Sequence, residues 1–211
     1  VGGAYAHLFF ELLRFLELPT LILTDLDSVE EAGGSACEVH KGTYSSNACL
    51  KAWFSDDDPF TLNGLVTKDA PEKAKHGNRI AYQCAEEEGG PCGRTFEDAF
   101  ILTNRTLFDL KGAPREELQT EARSKASKIK KSEFALKYAI EEKSWTTPKY
   151  ILDGVRWLSA DIEPSGTPDP VNLPPEKVLN APGGSLLSRG DFNPDGFHQD
   201  YDEQKILTYS Q

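Results

Sequence analysis

The sequence predicts an α/β fold: a small parallel sheet flanked by helices on both faces, followed by an irregular C-terminal extension. Three observations carry that reading. Residues 20–24 (Thr-Leu-Ile-Leu-Thr) form a short, continuous apolar run, the pattern of a strand covered on both faces in a parallel sheet. Helix-like and strand-like segments alternate from Ala4 to Ala160, as layered α/β domains require. From Glu163 the chain turns rich in proline and glycine and poor in core formers, which sets a domain of 1–163 apart from an acidic tail of 164–211.

Each element has its own signature. Over 4–18, Leu8, Leu12 and Phe15 form one i, i+4, i+7 row beside Phe9, Leu13 and Leu16, so an amphipathic helix buried around most of its circumference is expected. Pro19 ends it, and the strand of 20–24 runs straight into Asp25-Leu26-Asp27. Glu38 and Val39 suggest a second strand. A helix over 46–54 follows, with Ser45 or Ser46 as its cap. Residues 55–77 read as loop, punctuated by Asn63-Gly64 and Pro71; 79–84 reads as another strand. Thr95 caps a helix carrying Phe96, Phe100 and Ile101, a further helix spans about 133–143, and a last one spans 150–160.

Composition narrows the function classes. A chain of 211 residues with 38% hydrophobic and 10% aromatic side chains can bury a core, which excludes wholesale disorder. No apolar run approaches the ~20 residues that span a bilayer, and no segment has the layout of a signal peptide, so a cytoplasmic protein with no membrane partner is expected. The chain opens Val1-Gly2-Gly3 and contains no Met, so it reads as a piece of a longer protein. A net charge of −11 argues against a surface that coats nucleic acid generally. One stretch runs the other way: Arg123, Lys125, Lys128, Lys130, Lys131 and Lys137 cluster around Glu133, either as a solvated helix face or as a groove lining. Cys37, Cys49, Cys84 and Cys92 contain no CxxC pair and read as reduced thiols, mostly buried. His7 reads as a core residue, His40 lies nearer the strand ends, and His76 and His198 carry no signal. Trp53, Trp145 and Trp157 read as core or interface.

The chemistry concentrates at Asp25 and Asp27. Ligands of open α/β sheets bind beyond the carboxyl ends of strands, and two aspartates spaced by one residue there point to the same side. Such a pair suits a divalent cation that keeps waters and accepts phosphate oxygens. Glu97 opens a helix after another strand-loop unit, with Arg94 and Thr95 beside it, and the lysine-rich segment follows.

These residues carry a resemblance. Asp25-Leu26-Asp27-Ser28 after an apolar strand, then Gly93-Arg94-Thr95-Phe96-Glu97-Asp98, then Lys131-Ser132-Glu133-Phe134-Ala135, together resemble the Toprim nuclease domain of the overcoming-lysogenization-defect (OLD) family of ATP-dependent endonucleases, over 1 to about 160. The resemblance implies a two-metal DNA endonuclease using Mg²⁺ or Mn²⁺, fused to an upstream ABC-type ATPase domain in the same polypeptide, with ATP acting only through that domain and a homodimer as the possible assembly. By motif, Asp25 is a central metal ligand and Asp27 a second carboxylate of its site. Thr95 and Glu97 match the hydroxyl-x-Glu pair on the second metal. Lys131 matches the lysine facing the transition state, with Lys128 or Lys130 as alternatives of register, and Arg94, Lys128 and Lys130 would contact DNA. The sequence departs from the pattern at its start: the family's first-strand Glu would fall before Val1, and its second acidic position aligns with Ala4, which cannot ligate.

Two rivals remain open at the level of sequence. One is a degenerate Toprim-like module for DNA docking or dimerisation. The other is a haloacid-dehalogenase-like phosphatase, with Asp25 as nucleophile, Asp27 as acid/base, and Gly190-Asp191-Phe192-Asn193-Pro194-Asp195 as a late metal motif; against it, Ser28-Val29 stands where that class has Gly-Thr.

Overall fold

A sheet only three strands wide organises the domain. The computed structural model describes residues 2–112 and 114–162, within one compact unit, Val1–Thr167. The expected tail, with the late Asp motif and His198, lies outside the described residues.

Strand β1 (Thr20–Leu23) pairs in parallel with β5 (Asn78–Ala81), Thr20 opposite Asn78 and Leu23 opposite Ala81. Strand β4 (Ala74–Lys75) adds to the other side of β5 antiparallel, giving the order β1-β5-β4. The sheet is therefore mixed rather than wholly parallel. The cause is local: His76 and Gly77 both take positive φ, 52° and 72°, the backbone of a tight hairpin that folds β4 back onto β5. A second, two-stranded antiparallel sheet pairs β2 (Ser28–Val29) with β3 (Tyr44–Ser45).

Strand alternation splits the apolar residues between two faces. Ile22, Ile80 and Tyr82 pack with Leu26, with Leu50 and Trp53 of α2 (Ala48–Trp53), and with Leu62 and Leu65 of α3 (Leu62–Thr67). Leu21 and Ala81 join Ala99 of α4 (Phe96–Thr103) and Tyr150 of α7 (Lys149–Ile162). Helices thus cover both faces, as expected. Gly154 allows the closest approach, since a Cβ there would lie 2.8 Å from Leu21 Cδ1. A satellite core joins Ile101 and Leu102 of α4 to Leu118 and Ala122 of α5 (Arg115–Ala126). Phe100 anchors an aromatic cluster with Phe134, Tyr138 and Trp145. No helix among the described residues is long and apolar enough to cross a membrane.

Several sequence expectations are corrected. Gly3–Phe9 winds as a 3-10 helix before α1 (Phe10–Leu16), and only Ala6, Phe10 and Leu13 of this segment pack on the core. Leu8 is 69% exposed and Phe15 82% exposed, because three residues per turn breaks the rows that a pitch of 3.6 would align. The expected strand at Glu38 and Val39 is a 3-10 turn, Val39–Lys41. The backbone N–H and the ring Nδ1 of His40 both engage Gln119 Oε1 at 2.9 Å, so this segment joins no sheet. The expected loop of 55–77 contains α3, a 3-10 turn and β4. Leu62 and Leu65 are buried under a Thr61 cap that accepts from Gly64 N at 3.1 Å, and the Asn63-Gly64 pair sits in the first turn rather than breaking it. Asn47, not Ser45 or Ser46, caps α2, accepting from Cys49 N at 2.9 Å and Leu50 N at 3.2 Å. The helix expected from Glu133 starts earlier, as α6 (Lys131–Leu136), and widens into a π turn over Lys137–Glu141. The thiols are free; three are buried and Cys84 is half-buried.

Candidate active site

Burying Leu26 aims its neighbours. The Leu26 side chain is fully buried and its N–H donates to Gln83 Oε1 at 2.7 Å, while Asp25 and Asp27 on either side of it line one pocket just past β1. Asp27 is in the left-handed region, φ 48°, and its peptide is clamped from both ends. Its N–H donates to Arg94 O at 3.2 Å and its C=O accepts from Ser46 N at 2.9 Å.

Each carboxylate has its own buried amide partner. Asp25 Oδ1 accepts from Gln83 Nε2 at 2.6 Å and from the Phe96 backbone N–H at 3.0 Å. The amide of Gln83 cannot be turned round, because the Leu26 N–H can only donate and must therefore meet its oxygen. Asp27 Oδ2 accepts from Asn47 Nδ2 at 3.1 Å, and its Oδ1 lies 3.2 Å from Arg94 Nη2. Asn47 Nδ2 also reaches Thr24 Oγ1 at 2.9 Å and Asp25 O at 2.8 Å, so the residue that starts α2 also fixes the aspartate turn.

Helix α4 brings the third acid. Thr95 stands at its N-cap position as expected, and Asp98 Oδ2 accepts from Arg94 N at 3.1 Å and Thr95 N at 3.2 Å. Gly93 makes the sharp entry possible: a Cβ there would lie 2.5 Å from Ala99 N. The Phe96 N–H bond to Asp25 ties this helix start to the aspartate turn and so delivers Glu97 beside it. Glu97 Oε1 pairs with Lys131 Nζ at 3.0 Å; the Glu97 side chain is 12% exposed and that of Lys131 81%.

The acids lie close enough to act on Asp25 electrostatically. Burial pushes the Asp25 carboxyl above its ordinary range, and the charges of Asp27 and Glu97 push the same way against the Gln83 and Phe96 hydrogen bonds. Burial is the largest single influence on Glu97 and acts upward, but the hydrogen bond and charge of Lys131, together with the Glu97 backbone N–H and Thr95, outweigh it and hold Glu97 low. Lys131 is raised, first by its bond to Glu97 and further by the charges of Asp25 and Asp27. A pocket of about 470 Å³, lined by Gly3, Tyr5, Phe96 and Tyr150, opens on both aspartates.

The structure thus gathers Asp25, Asp27, Arg94, Thr95, Glu97 and Lys131. It leaves two basic residues out: Lys130 pairs with Glu133 at 2.9 Å, and Lys128 points into solvent. Of the three lysines left open by register, Lys131 is the one that meets the acids. Among the described residues, no three His, Cys, Asp or Glu side chains close around a common metal position. Sequence reasoning missed Gln83 and Asn47. A glutamine ending an apolar strand and an asparagine directly before an apolar helix are the signals that could have found them.

The chain resembles an endonuclease. It is 29% identical, over 192 aligned positions, to Endonuclease GajA of Bacillus cereus (strain HuB5-5). The match covers 77% of this chain and 27% of the relative, so the chain spans about a quarter of that protein's length. No protein-family model and no solved structure matches the chain.

Proposed function

We propose that this chain is the Toprim-like nuclease portion of a larger protein, hydrolysing DNA phosphodiester bonds with two Mg²⁺ or Mn²⁺ ions. The observation that carries the reading is the bond from the Phe96 N–H to Asp25, which joins the α4 start to the aspartate turn and sets Glu97 and Lys131 beside two carboxylates. A relative named as an endonuclease over 77% of the chain supports the same class.

The donor set fits hard cations in kind. It consists of carboxylates and a hydroxyl, and the charges of Asp27 and Glu97 raise the cost of charging Asp25, which a cation would relieve. Asp25 and Asp27 would hold one ion; Thr95 and Glu97 would hold the other once Glu97 exchanges its bond to Lys131. When bound, such ions activate a water and stabilise the leaving oxygen. The chain's own groups do the rest. Gln83 and Asn47 hold the two aspartates in fixed orientation. Lys131, released from Glu97, neutralises the equatorial oxygens of the phosphate. Arg94, Lys128 and Lys130 line the approach of the DNA backbone. The proposal extends to an acidic strand and an ATPase domain preceding this segment in the same polypeptide, with ATP acting only there, to a homodimer, and to a cytoplasmic setting.

The test is nicking of supercoiled plasmid in Mg²⁺ or Mn²⁺ by this chain and by a version extended upstream. Nicking by the extended protein that is lost in Asp25→Ala supports the reading. A folded, inert extended protein rejects it in favour of the second reading, a degenerate DNA-docking or dimerisation module, which the closed Glu97–Lys131 pair favours.

A further inference from the structure

The pocket that opens on Asp25 and Asp27 has two chemically unlike sides. Its polar side is the aspartate pair with Thr24 and Asn47. The rest of its wall is glycine, aliphatic or aromatic, and among the described residues no basic side chain lines it. A phosphate group finds no partner on that apolar side. A flat, uncharged part of a nucleic acid does.

The aromatic groups there are open to a ligand. Tyr5 is 62% exposed and Phe96 36% exposed, and both belong to the pocket wall. Each is held from behind. The Phe96 ring leans on Phe100 and Phe134, with centroids 5.9 and 6.3 Å away. Tyr5 belongs to the 3-10 segment, whose start lies flush on the end of β1: a Cβ on Gly3 would stand 2.6 Å from Leu23 O. Tyr150 and Ile151 of α7 complete the wall.

Phe96 also fixes the spacing between the two sides. Its backbone N–H donates to Asp25 Oδ1 at 3.0 Å while its side chain lines the pocket. One residue therefore carries both a bond that orients the carboxylate and an exposed aromatic surface. A phosphate held at the aspartates through a cation sets the base of the same nucleotide, one sugar away, against that surface. A paired base cannot take this position, because its faces are covered by its neighbours in the stack and only its edges open to the grooves.

We propose that this pocket receives the unpaired base of a nucleotide adjoining the phosphate under attack, stacked against Tyr5 and Phe96, so that the substrate is DNA with an unpaired or everted nucleotide rather than an intact duplex. The inference rests on the nuclease reading for the position of the phosphate. A volume of about 470 Å³ falls within the range of small-ligand sites and suits one base with its sugar. Stacking engages the π-face that every base has, so the pocket carries little sequence preference. Negative supercoiling favours strand opening, so a supercoiled plasmid offers such nucleotides.

The test uses the full 211-residue chain in Mg²⁺ with fluorescent probes read by anisotropy: a short oligothymidylate, a matched duplex, and the same duplex with an unpaired thymidine. The single strand and the bulged duplex should bind at least about tenfold more tightly than the matched duplex. Tyr5→Ala should weaken those two by about fivefold to a hundredfold, the scale of a lost stacking contact, and leave the matched duplex unchanged. Tyr5→Phe, which keeps the ring, should bind as the parent does. Phe96→Leu keeps the backbone N–H and an apolar contact to Phe100 and Phe134, and it should show the same selective loss if Tyr5→Ala does not fold. Equal affinity for all the probes, binding to none of them, or a preference for unpaired DNA that survives both ring-removing variants overturns the proposal. Plasmid nicking by the extended protein is scored apart. Nicking without a preference for unpaired DNA overturns the pocket's role and leaves the nuclease reading standing; ring-dependent binding without nicking does the reverse.

Discussion

Replacing Asp25 by Asn should make the protein more stable at neutral pH. Asp25 keeps its charge against burial and against the charges of Asp27 and Glu97, and its pKa is raised from 3.8 for those reasons. A raised carboxyl means that the folded state holds the proton more tightly than the unfolded chain does. Its stabilising contribution is then fully present below the unfolded value and is lost as pH rises through the folded one. At neutral pH the charged group is a net burden. Asn removes the charge while its Oδ1 still accepts from Gln83 Nε2 and the Phe96 N–H, the two bonds that define the geometry. Each pKa unit of displacement corresponds to about 1.4 kcal/mol, so the upward shift sets the sign of the effect, a gain in stability. In a protein of this size each kcal/mol gained raises Tm by about 2–4 °C, so the gain is read as an upward shift in Tm. Thermal unfolding at about pH 7 and at about pH 3, where wild-type Asp25 is already neutral, measures it. The gain should appear at the higher pH and vanish at the lower. A loss of stability at neutral pH, or a gain of equal size at both, would refute the reasoning.

Other perturbations separate structure from chemistry. Lys131→Met removes the exposed partner of a carboxylate that is only 12% exposed and should cost about 1–3 kcal/mol, the scale of leaving a buried polar group unpaired. It should also lower plasmid nicking by the extended protein about 10²–10³-fold, the scale of losing a transition-state contact. The same variant should alter acid unfolding. The depressed Glu97 contributes stability above its reference value of 4.5 that is lost as pH falls through its folded pKa, and this limb should disappear without Lys131. Gln83→Leu strands the Leu26 N–H inside the core and should cost about 1–3 kcal/mol in urea unfolding. Asn47→Ala loses both the α2 cap and the Asp27 contact, and a destabilisation of about 1–2 kcal/mol from the cap alone should be visible in the same experiment.

What the sequence revealed followed the strength of its local signals. The apolar run of β1 and its Asp-x-Asp exit were legible because burial on both faces leaves an unbroken pattern. Thr95 as a helix start was legible because a hydroxyl cap precedes an acidic first turn. The N-terminal helix misled because its apolar rows presume a pitch that the chain adopts only from Phe10. The strand assigned to Glu38 and Val39 rested on a single apolar residue, and the true pairing of β2 with β3 involves only two residues on each side, too few for any alternation. Helix α3 was hidden by Asn63-Gly64, a turn signal overridden by the burial of Leu62 and Leu65. At the site, the charged residues were legible by type and spacing. The amides that orient them were not, since Gln83 meets Asp25 across 58 positions and nothing local announces that contact.

The left-handed backbone at Asp27 narrows what evolution can place there. Branched and bulky side chains are costly at φ 48°, whereas glycine and asparagine are comfortable. Glycine would relax the main chain but surrender the anchorage to Asn47 and Arg94; asparagine would keep the shape and lose the negative pole; glutamate would keep the charge in a conformation it tolerates less well. Mutational drift at this position is thus squeezed between torsional comfort and electrostatic duty, and aspartate is the residue that satisfies both.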